Sequence, residues 1–309
     1  MTWNIQRLVY QAKSPIHIGW HTLGYIKLTR HYIPGRTMCG AITANMTRTY
    51  GNKGVDSYNV FKEIFKTKIL TSYFYPAIDP DAPLLPRFTG QGMEYGFTGS
   101  TCLPKADFER NFIGSFGQTA VLPQSNTAED NTLHESEYIS PCINKKGVCN
   151  SLFFVCYLFI KDDASFHDKK VAWSNKEISL KSAMQDIFVG GDLKYGWGQL
   201  KLDNNPAVEK HQKKIFGYDF IEKDGLPCME IPPDSPIPAH LLIDSKITAK
   251  GDIEPMVGRE FGNVKNSKGE ERNGAGKKIS RAKLCWIPGS VITGDTKQTL
   301  QISSYGLLS

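Results

Sequence analysis

Four glycines fall within nine residues in the run Val189-Gly190-Gly191-Asp192-Leu193-Lys194-Tyr195-Gly196-Trp197-Gly198. Glycines at this density permit positive φ and let backbone N–H groups approach an anion closely. Lys194 adds a cation, and Tyr195 and Trp197 add faces on which a base can stack. The run is not a P-loop: it lacks a Gly-Lys-Ser/Thr ending and follows a predicted helix instead of preceding one. A tight helix-to-strand turn with core aromatics accounts for the same residues. The second run, Tyr32-Ile33-Pro34-Gly35-Arg36-Thr37, delivers the chain into a predicted helix N-terminus. Unpaired N–H groups there suit a phosphate, and Arg36 stands beside them. An ordinary Pro-Gly approach with a Thr cap is the structural alternative. His17, His21 and His31 flank this region. An imidazole titrates near neutrality and serves as a general acid or base, although a histidine on a strand is more often structural. Asp79 and Asp81 lie among prolines and read as turn formers. No H-E-x-x-H motif and no Ser/His/Asp combination points to a hydrolase.

The elements that must position these loops follow from periodicity. Residues 2–13 alternate polar and apolar and predict a first strand; residues 21–30 predict a second short extended segment. Residues 37–50 place Met38, Ile42 and Met46 four apart, predicting a helix capped by Thr37 and stopped by Gly51. Residues 60–66 read as a short amphipathic helix. Residues 69–75 read as a strand ended by Pro76, and 79–86 hold three prolines that bar them from a sheet centre. Residues 89–150 are rich in Gly, Asn, Thr and Pro and predict an inserted lobe only partly packed on the core. Residues 152–160 predict a buried strand, and 178–188 a second long helix running into the glycine loop. The order of strand, helix, strand, insertion, strand, helix, glycine loop and strand is the split βαβ pattern of a ferredoxin-like fold. The remaining residues contain strand-like runs at 215–221, 237–243, 282–287 and 299–303. Residues 227–238 hold five prolines and read as a connector. The expected organisation is a domain at 1–205 with an insertion at about 89–150, then a smaller β-rich domain at 206–309.

Composition sets the outer bounds. The 309 residues carry 40% hydrophobic and 22% charged side chains, which excludes a multi-span membrane protein and a wholly disordered chain. The longest apolar run, 151–160, is about half the length that spans a bilayer. Seven cysteines form no C-x-x-C pair, so a zinc cluster is not expected; a disulfide framework would leave one over, and a reducing cytoplasm fits best. The formal charge of +6 weakly favours a polyanionic partner. Between Lys246 and Lys283 ten Lys/Arg face five Asp/Glu, interleaved with runs such as Asn266-Ser267-Lys268-Gly269. That pattern suits a solvated loop or one that tracks phosphates.

Three separated segments together resemble a known family. They are Ser14-Pro15-Ile16-His17-Ile18-Gly19; Tyr32-Ile33-Pro34-Gly35-Arg36-Thr37-Met38-Cys39-Gly40-Ala41; and Gly190-Gly191 with Tyr195-Gly196-Trp197-Gly198. In this order and spacing they resemble the RAMP superfamily of CRISPR RNA-binding proteins. Residues 69–86, with Thr127–Asp130 and Leu133–Ile139, are similar to the member that caps the crRNA 5′ handle in type III effector complexes. The resemblance implies an α+β fold with a ferredoxin-like, RNA-recognition-motif-like core and a C-terminal domain that is β-rich or itself RAMP-like. Ile287-Pro288-Gly289 repeats the Ile33-Pro34-Gly35 phrase, and Arg259 is a further candidate. The role implied is non-catalytic antiviral RNA binding without a cofactor. Its partners would be crRNA, the large signalling subunit, the backbone RAMP subunits and, indirectly, target RNA. The RNA-binding residues implied are His21, Arg30, Pro34, Gly35, Arg36, Thr37, Gly190, Gly191, Lys194, Tyr195, Gly196, Trp197 and Gly198, with Trp20 a further stacking surface. Two rival roles exist within the superfamily. One is a metal-independent repeat endoribonuclease using His17, His21 or His31. The other is a backbone subunit that cuts target RNA through an aspartate such as Asp79 or Asp81.

Overall fold

The computed structural model describes all residues except 1, 52–54, 98–101, 146, 167–168, 175–176, 204–212, 245, 266–268 and 270. The basic Asn266-Ser267-Lys268 segment and the expected domain boundary at 205–206 therefore lie outside the described residues. The described chain is a mixed α/β structure, rich in strands and poor in helices.

Its centre is an antiparallel sheet. The strands run in the order Asp186–Phe188, Gln199–Leu202, Trp3–Ala12, Phe153–Lys161 and Ile69–Thr71, with Tyr75–Ala77 also paired to Phe153–Lys161. Successive side chains of a strand point to opposite faces. Trp3 and Ile5 accordingly enter one hydrophobic cluster, and Leu8, Tyr10 and Ala12 the other. The Phe153–Lys161 strand is buried on both sides. Phe154, Cys156, Leu158 and Ile160 face the first helix layer, while Tyr157 and Phe159 face the C-terminal strands. A strand covered twice reads as a continuous apolar run, which explains the sequence there.

Helices Gly35–Tyr50 and Val55–Thr67 cover the first face. Met38, Cys39, Ile42 and Met46 bury one stripe of the longer helix. That helix starts before the expected cap. Pro34, at φ −63° and ψ 147°, occupies the cap position without a side-chain cap bond, and Thr37 lies inside the first turn. Gly35 is required by packing: a Cβ there would sit 2.4 Å from the Tyr305 carbonyl oxygen. Gly51 ends the helix in extended conformation, not in the left-handed form common at helix ends.

Three further expectations are corrected. The predicted long helix at 178–188 is a four-residue helix, Leu180–Ala183, followed by the strand Asp186–Phe188. Ile187 pairs with Leu200 and is fully buried. A short apolar run does not distinguish helix from strand by periodicity, and here sheet pairing wins. Asn45 of the long helix donates to the carbonyls of Ala183 (3.1 Å) and Asp186 (2.8 Å), holding the bend between the two pieces. Secondly, Pro76 lies within a strand and does not end one. Thirdly, the proline-rich connector begins as a paired strand, Leu226–Ile231, of the sheet Lys214–Ile215, Tyr218–Lys223, Leu226–Ile231, Gln298–Gln301.

The insertion is more integrated than expected. Phe108, Phe112, Ile139 and Ile143 join the main core, and strand His134–Ile139 pairs in parallel with Ile26–Thr29 and antiparallel with Ile113–Gln118. Cys142 and Cys149 form a disulfide across the hairpin Cys142–Lys145/Val148–Ser151. The second face of the central sheet is covered by C-terminal residues, with Met229, Ile231, Leu300 and Leu308 sharing a cluster with Trp3, Tyr75 and Phe159. No described helix is long and apolar enough to cross a membrane.

Candidate functional site

A cleft of about 690 Å³ opens between the cleft-facing side of the long helix, the Gly19–Leu23 strand, the start of the glycine loop and residues 254–259. It gathers His21, Arg30, Pro34, Arg36, Thr37 and Gly190 of the expected set. Residues 37, 41, 44 and 48 lie on one helical face, and the last of these is Arg48.

The four arginines of the cleft divide into two kinds. Arg30 makes a two-pronged pair with Glu254, at 2.6 and 3.0 Å, and also donates to the Tyr32 hydroxyl. Arg36 pairs with Glu260 at 3.1 Å and lies 4.4 Å over the Tyr305 ring. Among the described residues, Arg48 donates to the Asn45 side chain and Arg259 to the Gly276 carbonyl. Among the described residues neither of these two is in a salt bridge. A carboxylate-bound guanidinium has spent its fork, whereas one resting on neutral oxygens retains its charge for a phosphate. Arg48 was missed by sequence reading; its spacing along the predicted helix from Thr37 was the available signal.

Behind Arg30 lies a buried polar network. Glu254 accepts from Arg30, from the Trp20 indole N–H at 3.1 Å and from His240, whose other ring nitrogen meets the Tyr73 hydroxyl at 2.7 Å. Burial pushes the Glu254 carboxyl up, but hydrogen bonds from His240 and Arg30 overcome this and hold it at about 2. Burial lowers His240, against the pull of the Glu254 carboxylate. The network ties the 240–254 segment to the central sheet.

The glycine loop is a closed hairpin connection. Gly190, at φ +82°, presses on the segment between the strands Trp3–Ala12 and Gly19–Leu23: a Cβ there would lie 2.1 Å from the His17 carbonyl oxygen, which accepts from the Gly191 N–H at 2.9 Å. A Cβ on Gly198 would lie 2.1 Å from the Val189 carbonyl oxygen, and its N–H donates to Pro15. Gly196 closes a short turn over Leu193–Tyr195. Backbone packing thus accounts for these glycines. Trp197 is 8% exposed and packs edge-on to Tyr138 at 5.2 Å, so it is a core residue. Tyr195 is 69% exposed at the loop tip beside Lys194. Gly191, Lys194, Tyr195, Gly196, Trp197 and Gly198 do not line the cleft, nor does Gly35, which packs beneath its neighbours.

The acid–base candidates separate in the same way. The His17 ring accepts or donates at the Glu137 carbonyl, 2.7 Å away, and is buried. Asp81 pairs with Arg7 at 3.0 Å, and Asp79 accepts from the Asp81 N–H in a turn. His21 is at the cleft, its ring 4.5 Å from that of the 41%-exposed Trp20. Among the described residues, no group of three or more His, Cys, Asp or Glu is placed to hold a metal ion.

No protein-family model matches the sequence, and no curated protein matches it. The fold does have solved counterparts. The chain is similar to one from the cryo-EM structure of the Type III-B Cmr-beta bound to cognate target RNA, with TM-score 0.50 and 10% identity over 93% of this chain and 86% of that one. A chain from the same complex bound to cognate target RNA and AMPPnP gives TM-score 0.50 and 10% identity, covering 93% of this chain and 85% of that one. The overall fold is therefore similar to that of a chain of the Type III-B Cmr-beta.

Proposed function

We propose that this chain is a non-catalytic RNA-binding subunit of a type III CRISPR effector complex, holding the repeat-derived 5′ handle of the crRNA and capping the backbone filament. The observation that carries the reading is the fold likeness, across almost the whole chain, to a chain of an RNA-bound type III-B complex. Other features support it. Numbered along the chain, the four principal strands lie in the order 4-1-3-2, which suits a ferredoxin-like RAMP core. The cleft presents two guanidiniums that are in no salt bridge among the described residues, and an exposed indole, the parts that hold single-stranded RNA by phosphate contact and stacking. Most of the candidate acid–base groups are engaged in structural bonds, which favours binding over cutting. Residues 1–205 form the RAMP unit and 206–309 the smaller one, joined over the second face of the sheet. The partners are crRNA, the large signalling subunit and the backbone subunits, with target RNA met indirectly, in the cytoplasm.

The test is to purify the tagged chain from its host and sequence the RNA that accompanies it, while incubating the isolated chain with precursor repeat RNA without added metal. RNAs sharing one 5′ handle, uncut by the chain, are expected. Specific cutting abolished by His21→Ala would instead make it a repeat endoribonuclease. The absence of bound RNA would leave a purely protein-binding scaffold.

A further inference from the structure

Beside the cleft lies a second cavity of about 300 Å³, with several aromatic rings in its wall. Trp20, His31, Tyr32, Phe88 and Tyr95 line it, and Lys105 stands among the polar lining groups. Its inner wall is rigid. The Tyr95 ring stacks on Phe108 at 4.1 Å, and the His31 ring lies 5.0 Å from Phe108, with its Nδ1 bonded to the Tyr95 hydroxyl at 2.7 Å. The charged lining groups are two cations, Arg30 and Lys105, and two anions, Glu254 and Asp252, so the wall carries no net charge. Arg30 is neutralised by Glu254, and burial, with Lys105 nearby, lowers His31 to about 4, so it is neutral at physiological pH. Trp20, Arg30 and Glu254 line both this cavity and the cleft, so the two spaces share one partition.

The two sides differ in what they accept. The cleft side offers Arg48 and Arg259, whose charge suits phosphate. The cavity offers flat, uncharged π surfaces in a volume at the small end of the range for small-ligand pockets. It suits a single flat ring better than a phosphate.

We propose that this cavity takes one unstacked nucleobase of the strand whose backbone lies in the cleft, the strand turning at the Trp20 partition. The inference rests on the RNA-binding reading of the cleft and adds to it a base site built by the hairpin Leu85–Thr89/Gly92–Gly96, through Phe88, Met93 and Tyr95, and by Trp20 on the strand Gly19–Leu23 with His31 just beyond the strand Ile26–Thr29. No covalent step is involved. Stacking a base on such rings is worth about 1–3 kcal/mol.

The experiment is an abasic scan. The RNA that accompanies the chain is resynthesised with a single abasic site at each position in turn, and binding to the full chain is measured by fluorescence anisotropy. One position is expected to lose roughly 5- to 150-fold in affinity, the equivalent of that stacking range, and the others much less. Phe88→Ala, at a half-buried residue, should weaken the intact RNA and remove most of the penalty at that same position, as contacts in one cycle do. Its melting temperature confirms that it folds. RNA binding with a flat scan overturns the base site alone, whereas no RNA binding overturns both it and the cleft reading. Unchanged RNA affinity in Phe88→Ala, with release of a neighbouring protein subunit from the assembled complex, would assign the cavity to a protein side chain and overturn the proposal.

Discussion

Arg30 and Arg48 line one cleft, yet they do different jobs. Arg30 is locked to Glu254 and sits above a chain of buried polar groups, Glu254, His240 and Tyr73, that joins the C-terminal half to the central sheet. Arg48 projects from the long helix toward solvent with Asn45 as its partner among the described residues. Arg36 and Arg259 repeat the contrast, the first held by Glu260 and Tyr305, the second, among the described residues, by the Gly276 carbonyl. A cation's presence in a cleft therefore does not define its role. What decides is whether a carboxylate has already claimed it, because a buried pair stabilises the fold only while both members remain. The paired arginines belong to stability and the unpaired ones to binding.

The contrast is broken most severely at Arg30. Arg30→Ala leaves Glu254 buried without its main countercharge, and a loss of about 3–5 kcal/mol is expected in urea unfolding. Loss comparable to a surface substitution would show that the network bears no load. Arg30→Ala/Glu254→Gln should recover part of the loss, since the uncompensated charge is then gone.

Acid should find the same buried side. His31 and His240 are both lowered by burial, so the unfolded chain binds protons more readily than the folded one as pH falls below 6.5. Their stability contribution is complete above 6.5; that of His31 declines down to about 4. For His31 the loss between pH 7 and pH 5 is about 2 kcal/mol. Glu254, held at about 2, contributes above its ordinary range near 4.5 and is lost only below that, so it adds a second decline at stronger acid. Melting temperatures across pH 7 to 5 check this, and His31→Gln should flatten the slope. An unchanged slope would remove His31 from the account.

Much of the scaffold was legible in the sequence, and the reasons it was so also explain the failures. The 2–13 alternation and the 152–160 apolar run are strong signals because one strand changes cluster along its length and the other is covered on both faces. The Met38, Ile42, Met46 spacing marked the long helix for the same reason. The stretch 178–188 failed because its fate depends on pairing with Leu200 across the glycine loop and on Asn45, distant in sequence, bridging the bend. The glycine loop was located correctly, but its glycines serve backbone contacts with His17 and Val189 that no local pattern encodes. Arg30 and Arg36 were visible as cations; their partners, Glu254 and Glu260, lie more than 200 residues away. Long-range pairing is what the sequence conceals, and it decided which arginines are available. The disulfide between Cys142 and Cys149 was missed for a local reason: the hairpin that brings the two thiols together was not read from the sequence.

The smallest energetic effects fall on the unpaired arginines, and they bear most directly on the central claim that the cleft holds RNA. The measurement is the salt dependence of RNA affinity for the wild-type chain, Arg48→Gln and Arg259→Gln, using the RNA that accompanies the chain. Each substitution should leave the melting curve within about 0.5 kcal/mol of wild type, as expected for surface positions. Each should also reduce the slope of log affinity against log salt by about 0.7, the value for one phosphate contact on a single strand. Wild-type slopes in both variants, with RNA still bound, would place the strand elsewhere on the molecule and contradict the account.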